Sequence, residues 1–440
     1  MRIRLMILAV APAAGVAALS LSGCEAVLGL GSLTDALDDA LDGSSGSSTS
    51  SSRGGSSSAS SKGNGSSGSS PASDAGPPPI DATAGDAALD GTVNDEAAVA
   101  DSAPPDAPDV TNPVVTSCTA GGACPFQTGL NNPDSITSDG ARVYWTEFGT
   151  DDGSQDGVVA SCSLSGCDTD KVVYTSIALN PRGVAVDATN VYWTASTGGV
   201  SGGIFTCPIA GCGSTPPTRL ATVSSPVGIQ VDDTYVYFVD WDSNAVMKIP
   251  KTSTDGGVFT IYDGTGFGPY SPDLCVIGAT SIFVGDDDGN VWGMPLDGGQ
   301  VVQYDDGTSN YGQYGLAVDS TNLYFGQSGR IIRAPQGQVD AGVAIYTEVN
   351  WPQSFALDGP TSFLYWANWG TMTTNVNDGA VGRVLIDGGS VAVLAKSQPQ
   401  PQGITVSGSA VYWVNLGPYV ASGMRWGTMP STGSIYRLDK

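Results

Sequence analysis

The residues that could do chemistry in this chain are defined first by an absence. The 440 residues contain no His. Imidazole general bases, Ser-His-Asp and Cys-His nucleophile pairs and His-ligated zinc or iron are all excluded. Any reaction must rest on carboxylates, Tyr, Lys or a metal held by oxygen. Asp240, Asp242 and Asn244 supply such oxygens in a D-x-D-x-N pattern that suits calcium. The pattern then departs from a calcium loop, with Ala245 where Gly is needed and Lys251 where Glu is needed. Calcium is therefore a secondary expectation, and no cofactor is the primary one. Asp286, Asp287 and Asp288 form a second oxygen-rich run.

Eight Cys are present, and six form close pairs: Cys118/Cys124, Cys162/Cys167 and Cys207/Cys212. In an exported chain these read as local hairpin disulfides. The zinc alternative would have to draw two hairpins together. Cys275 falls in an apolar strand pattern and reads as a buried thiol.

The elements that must position these groups repeat. "RVYWTEF" at 142 returns as "NVYWTAS" at 190, "YVYFVDW" at 235, "SIFVGDD" at 281, "NLYFGQS" at 322, "FLYWANW" at 363 and "AVYWVNL" at 410. The spacing, 41 to 48 residues between the aromatic positions, is that of a four-stranded propeller blade. Each copy starts on a strand A, usually after a Pro, with apolar alternation such as Val184/Val186 and Ile404/Val406. Strand B carries the Tyr-Trp pair, and strands C and D follow. Neighbouring strand residues point to opposite faces, so the pair reads as core packing against the two adjacent blades. The last copy ends at "GSIYRLDK" without a strand D. The missing strand is expected from upstream, around Pro125 to Gly129, closing an all-β, seven-bladed propeller over 113–440.

The motif "GVAVDATNVYWT" and its relatives resemble the YWTD-type propellers of lipoprotein receptors and NHL-like repeats. With the "CPIAGC" turn they look closest to uncharacterised repeat lipoproteins of myxobacterial type. The resemblance implies the propeller fold and little about function, because propellers host enzymes, receptors and scaffolds alike. Copies three to five lack the Trp and the Thr, which puts receptor-style binding in doubt.

Ahead of the repeats, Arg2 and Arg4 precede an apolar stretch from Leu5 to Leu19 that is too short to span a bilayer. Leu21-Ser22-Gly23-Cys24 resembles a bacterial lipobox, which implies a signal peptide over 1–23 and lipidation of Cys24. No inner-membrane retention Asp follows the Cys, so the resemblance implies the outer membrane or cell surface. Residues 24–42 hold the Cys and a short helix. Residues 43–112, Ser/Gly-rich and then Ala/Pro/Asp-rich, lack the apolar content for a core and read as a disordered linker. The net charge of −26 argues against a nucleic acid partner.

A propeller puts the strand A starts and the B–C loops on one face. Copies six, seven, one and two have the long B–C loops and are contiguous in a closed ring. Their aromatics and Met, namely Phe148, Trp369, Tyr419, Met424, Trp426 and Met429, form the expected binding wall. Trp241 belongs to a shorter B–C loop, and Tyr311, Tyr314 and Trp351 lie at the strand A starts. The function expected is surface-anchored binding of a protein, peptide or glycan on this face. The alternative is a carboxylate- or metal-dependent propeller enzyme: a lyase, lactonase or glycosidase. Asp287-Asp288-Gly289-Asn290-Val291-Trp292 partly resembles a sialidase Asp box, but Gly285 stands in place of its Ser.

Overall fold

A computed structural model describes residues 122–440 apart from 151–154, 179, 197–201, 266–271, 287–288, 307–314, 328, 340, 372–376 and 419–430. The expected signal peptide, Cys24, short helix and linker lie outside the described residues. So do Cys118, Tyr311, Tyr314, Tyr419, Met424 and Trp426.

The described chain is all strand. β1 (Cys124–Leu130) comes first. Blade 1 then comprises β2 (Pro133–Ser138), β3 (Arg142–Glu147), β4 (Gly157–Ser163) and β5 (Val172–Ala178). Blade 2 is β6 (Pro181–Val186), β7 (Asn190–Ala195), β8 (Gly203–Pro208) and β9 (Thr218–Thr222). Blade 3 is β10 (Pro226–Val231), β11 (Tyr235–Asp240), β12 (Ala245–Pro250) and β13 (Phe259–Tyr262). Blade 4 is β14 (Pro272–Ile277), β15 (Ser281–Asp286), β16 (Asn290–Pro295) and β17 (Val302–Asp306). Blade 5 is β18 (Leu316–Val318), β19 (Asn322–Gln327), β20 (Arg330–Pro335) and β21 (Val343–Tyr346). Blade 6 is β22 (Pro352–Asp358), β23 (Phe363–Asn368), β24 (Gly379–Leu385) and β25 (Val391–Gln398). Blade 7 takes β26 (Pro401–Ser407), β27 (Ala410–Asn415) and β28 (Gly433–Asp439) from the C-terminus.

Six blades are antiparallel sheets in chain order, and the seventh has the order β1-β28-β27-β26. The strand supplied from upstream is therefore β1, one residue longer at each end than the sequence suggests. Its Cys124 to Leu130 run antiparallel to Arg437 to Gly433. The Ser138 hydroxyl donates to that of Ser407 at 2.8 Å, joining the strand A of blade 1 to that of blade 7. This is the seven-bladed all-β propeller that the repeats imply.

The Tyr-Trp pair explains how blades cohere. Tyr144 of blade 1 packs with Trp193, Val184 and Val191 of blade 2. Tyr192 of blade 2 packs with Phe238 and Ile229 of blade 3. Tyr365 of blade 6 packs with Trp413 and Ile404 of blade 7, and Tyr412 of blade 7 with Trp145 of blade 1. The Tyr always faces the following blade and the Trp the preceding one. These rings are fully buried. Close packing dictates one glycine: a Cβ on Gly382 would sit 2.2 Å from the Trp366 indole, so only Gly fits beneath that ring.

Two disulfides, Cys162–Cys167 and Cys207–Cys212, tie strand C to the C–D turn of blades 1 and 2, and they mark an exported protein. Cys124 is disulfide-bonded as well. Cys275 is a buried thiol on β14, in the ladder position that Ile229 holds in blade 3. No helix among the described residues is long and apolar enough to cross a membrane.

Candidate functional site

The site begins with an irregularity shared by most blades. Strand A pairs with strand B through its Pro and then slips before resuming register. The slip falls between Pro133 and Ile136, Pro181 and Val184, Pro226 and Ile229, Pro352 and Ser354, and Pro401 and Ile404. A bulge of this kind turns a side chain out of the ladder. The residue directly after the Pro is the one released: Asp134, Arg182, Val227, Gln353 and Gln402. All five line one cavity of about 100 Å³. By repeat register the same position is Asp273 in blade 4 and Tyr314 in blade 5, whose side chains lie outside the description.

The Thr of the YWT motif holds the bulge open. Thr146 Oγ1 accepts from the Ser135 amide at 3.1 Å and donates to the Arg182 carbonyl at 2.5 Å. Thr194 Oγ1 likewise accepts from the Gly183 amide at 2.9 Å and donates to the Val227 carbonyl at 2.8 Å. The Thr thus replaces the ladder bond that the bulge removes and fixes the next blade's channel residue. It is a positioning residue for the cavity rather than part of its lining.

Around the ring, Gln353, Gln402, Asp134 and Arg182 come from four consecutive blades: six, seven, one and two. The Arg182 Nε lies 3.7 Å from Asp134 Oδ2, a loose ion pair, and Arg182 is 8% exposed. Its guanidinium lies over the Phe148 ring at 6.0 Å. Gln353 is 6% exposed, and its buried Nε2 has no hydrogen-bond partner. The buried Oε1 of Gln402 has none either. Asn131 Oδ1, Gln400 Oε1 and Asn415 Oδ1 stand in the same condition at the same end of blades one and seven. Thr137 Oγ1, Gln230 Oε1 and Thr405 Oγ1 are unpaired as well, further along the strand As, so such atoms are spread around the ring rather than confined to this end. Ile136, Val227, Leu274 and Trp369 add apolar side chains to the described lining, and Ser135 and Ser354 add hydroxyls.

The backbone above this arc is under strain. The residue before the strand A Pro has positive φ at Asn132 (50°), Asn180 (43°), Trp351 (55°) and Gln400 (56°). Asn tolerates this region, whereas Trp and Gln do not do so readily. The two unfavourable residues flank Gln353 and Gln402.

Of the expected wall, Phe148 and Trp369 are described, while Tyr419, Met424, Trp426 and Met429 lie outside the described residues. Phe148 is 3% exposed and Trp369 7% exposed. Each is the first residue after strand B, and its amide donates to the turn before the same blade's strand A: Phe148 to Asn132 at 2.9 Å, and Trp369 to Trp351 at 3.0 Å. Both rings are buried: Trp369 lines the cavity, and Phe148 lines a smaller space beside it with Asp134 and Gln402. Trp241 occupies the same position in blade 3 and is half-buried against the blade 3–5 core. Trp351 is half-buried in its turn. The long loops of blades one and six share a clamp at their base. Asp156 accepts from the Thr150 amide and hydroxyl, and Asp378 does the same for Thr371, at 2.7–3.0 Å.

Asp240 directs both carboxylate oxygens at its own loop. Oδ1 accepts from the Ser225 amide at 2.8 Å, and Oδ2 from the Ser243 amide at 3.1 Å and hydroxyl at 2.5 Å. Asp242 is exposed, and Asn244 sits in the turn at φ 53°. The D-x-D-x-N pattern thus has a structural role in the B–C turn. Among the described residues no three His, Cys, Asp or Glu side chains cluster as metal ligands would.

No family model matches the chain, and no curated protein matches it. Solved structures do. The WD40 β-propeller domain of Doa1 aligns at 13% identity and a TM-score of 0.50, over 72% of this chain and 97% of that one. A chain of the nidogen/laminin complex aligns at 18% identity and a TM-score of 0.36, over 60% and 83%. The computationally designed Ika8 protein aligns at 11% identity and a TM-score of 0.47, over 71% and 98%. At these identities the likeness concerns the fold.

Proposed function

We propose that this chain is an exported binding protein whose propeller captures its ligand at the channel mouth, on the face of the strand A starts and B–C loops. The ligand is a peptide, a protein segment or a glycan. The observation that carries this reading is the convergence of Asp134, Arg182, Gln353 and Gln402, each the residue after the strand A Pro, from four consecutive blades on one cavity of about 100 Å³. A concave site with a few converging polar side chains is the usual form of a binding pocket. A carboxylate-dependent reaction is the second reading, with Asp134 in the lining and Asp273 at the same repeat position in blade 4.

The amino-terminal sequence supports the same picture. The lipobox-like Leu21-Ser22-Gly23-Cys24 would anchor the chain to a membrane, and the acidic linker, with 14 acids against 2 bases over 25–113, would hold the propeller away from it. This arrangement is that of the repeat lipoproteins the sequence resembles, on the outer membrane or cell surface.

Chemical cross-linking on the native cell surface tests the reading. The full chain is compared with a Gln353→Leu/Gln402→Leu variant. Capture of the partner should disappear in the variant while its melting temperature holds. Equal capture by both chains would refute the channel mouth as the site.

A further inference from the structure

We infer that blade 1 is a disulfide-locked gate of the ring. Its two seams, with blade 7 and with blade 2, are secured by bridges that form in an oxidising compartment, and reduction opens the ring there first.

The lock is built from one position repeated in four blades. Leu164, Ile209, Leu296 and Ile386 each directly follow strand C. Each donates its amide to the A–B turn of its own blade at 2.9–3.1 Å. Each also offers its carbonyl to the preceding blade. In blades 4 and 6 the donor is a long cationic arm, Lys248 to Leu296 and Arg333 to Ile386, both at 2.9 Å, and neither turn is bridged. Such arms are flexible and follow a turn that shifts. In blades 1 and 2 buried Tyr hydroxyls donate instead: Tyr412 to Leu164 at 3.2 Å, beside Arg437 at 3.0 Å, and Tyr174 to Ile209 at 2.8 Å. A ring set by two packed dihedrals cannot follow a moving carbonyl. These are the two turns that carry a bridge, Cys162–Cys167 around Leu164 and Cys207–Cys212 around Ile209.

The bridges also pack into the seams they serve. Cys162, Cys167 and Leu164 lie in one cluster with Ala410, Tyr412 and Val414 of blade 7. Cys207, Cys212 and Ile209 lie in another with Tyr144, Val159 and Tyr174 of blade 1. Their place in the chain explains the need. Blade 7 is assembled from both ends of the propeller, so its seam with blade 1 closes the ring across the longest sequence separation. Cys124, disulfide-bonded as well, opens the closing strand opposite Arg437. Among the described residues, blades 3 to 6 hold only the buried thiol Cys275.

The sulfurs are arranged for exchange from one side. Cys162 and Cys207 are fully buried, and Cys167 and Cys212 are half-buried. A dithiol's thiolate attacks the sulfur of Cys167, the S–S bond breaks, and its electron pair leaves on Cys162 as a thiolate. The dithiol's second sulfur then displaces Cys167. The protein pair gains two electrons and two protons, and the reagent departs as a disulfide. Formation is the reverse, with a disulfide carrier of the exported compartment as oxidant.

Hydrogen exchange read by mass spectrometry tests the lock on the full chain. In Cys162→Ala/Cys167→Ala, exchange should quicken about tenfold in β1, β2, β3 and β28 and hold in β14 to β24. In the native chain rising dithiothreitol should produce the same order of opening, and oxidised glutathione should reverse it. That series carries the test if the Ala variant does not fold. Tyr412→Phe removes one donor to Leu164, so its effect on exchange should largely vanish once the bridge is absent. The effect of Arg333→Met, at the seam of blades 5 and 6, should persist. Exchange that quickens alike in blades 4 to 6 would show that the bridges act only through the unfolded chain, and would overturn the lock. Unchanged exchange at β1 and β28, or full additivity of Tyr412→Phe with loss of the bridge, would overturn it too.

Discussion

The two faces of the ring are built to opposite specifications. On the face of the A–B and C–D turns, four A–B turns are capped by paired carboxylates, although Thr137 Oγ1 and Gln230 Oε1 near the strand A ends are unpaired. Asp139, Asp187, Asp232 and Asp319 each cap their A–B turn, accepting from two backbone amides at 2.7–2.8 Å on one oxygen. On the other oxygen each accepts the hydroxyl of the Tyr five residues later, at 2.7–2.9 Å. Lys251 of blade 3 reaches Asp187 of blade 2 at 2.7 Å, and Arg437 of blade 7 donates to the Leu164 carbonyl of blade 1 at 3.0 Å. Two disulfides lie on the same side. The opposite face has the bulges, the positive-φ turns, the long loops and the unpaired carboxamides. Both faces hold some unpaired polar atoms and positive-φ residues, such as Gln230 Oε1 and Ser362 on the A–B side, so the contrast lies in the repeated Asp–Tyr caps, cross-blade ion pair and disulfides of one face against the bulges and long loops of the other.

The largest effect that would sharpen this contrast comes from the disulfides. Each closes a short loop, which in the chain-entropy model contributes about 2 kcal/mol. Replacing Cys162, Cys167, Cys207 and Cys212 together by Ala should cost about 4 kcal/mol in denaturant unfolding. Ligand affinity should not change, because both bridges lie across the blade from the channel mouth. A parallel loss of binding would mean that the faces are coupled and the contrast is wrong.

A smaller effect comes from Asp187. Burial alone would raise its pKa, but the hydrogen bonds it accepts outweigh this, Lys251 first and then the Thr189 and Asn190 amides and Tyr192, and lower it to about 2. Burial, then the hydrogen bond to Asp187, pushes the Tyr192 hydroxyl well above its ordinary range. An unfolded Asp titrates near about 4, so the stabilisation from Asp187 is complete above that pH and fades as the pH falls towards 2. Asp187→Ala should cost about 1–2 kcal/mol at neutral pH. The gap between mutant and parent should close between about pH 4 and 2. A gap that persists at pH 2 would show that the Asp187 charge is not what caps the turn.

How far the sequence foretold each face follows from the range of the interactions. The blades, the closing strand, the opposed Tyr and Trp and the paired Cys are all governed by period-two alternation and a repeat of 41 to 48 residues, and both are visible locally. The Asp–Tyr pairs were equally visible as Asp-x-x-x-x-Tyr in four copies. Blade 4 keeps the logic by omission, with Phe283 in place of Tyr and Gly278 in place of Asp. The channel position was also written in the sequence, as the residue after the Pro. Its importance depends on a bulge, which alternation alone cannot reveal. Phe148 and Trp369 were legible as residues of the loop face, and Trp369 lines the cavity; their burial depends on a backbone hydrogen bond to the strand A turn that no local pattern reveals.

The smallest effect on stability has the most to say about the open face. If Gln353 Nε2 is unpaired for the sake of a ligand, the free protein bears the desolvation of that amide without a compensating bond. Gln353→Leu removes the orphan and keeps nearly the same volume. Stability should therefore stay level or rise by up to about 1 kcal/mol, against the usual loss from a substitution at a buried site. The same change should weaken ligand capture, so stability and binding would move in opposite directions at one residue. Addition of saturating ligand should then reverse the order of the two melting temperatures, because only the parent is stabilised by what it binds. A loss of more than about 1 kcal/mol in the ligand-free variant would show that Gln353 is a satisfied part of the scaffold, and the distinction between the two faces would no longer rest on this residue.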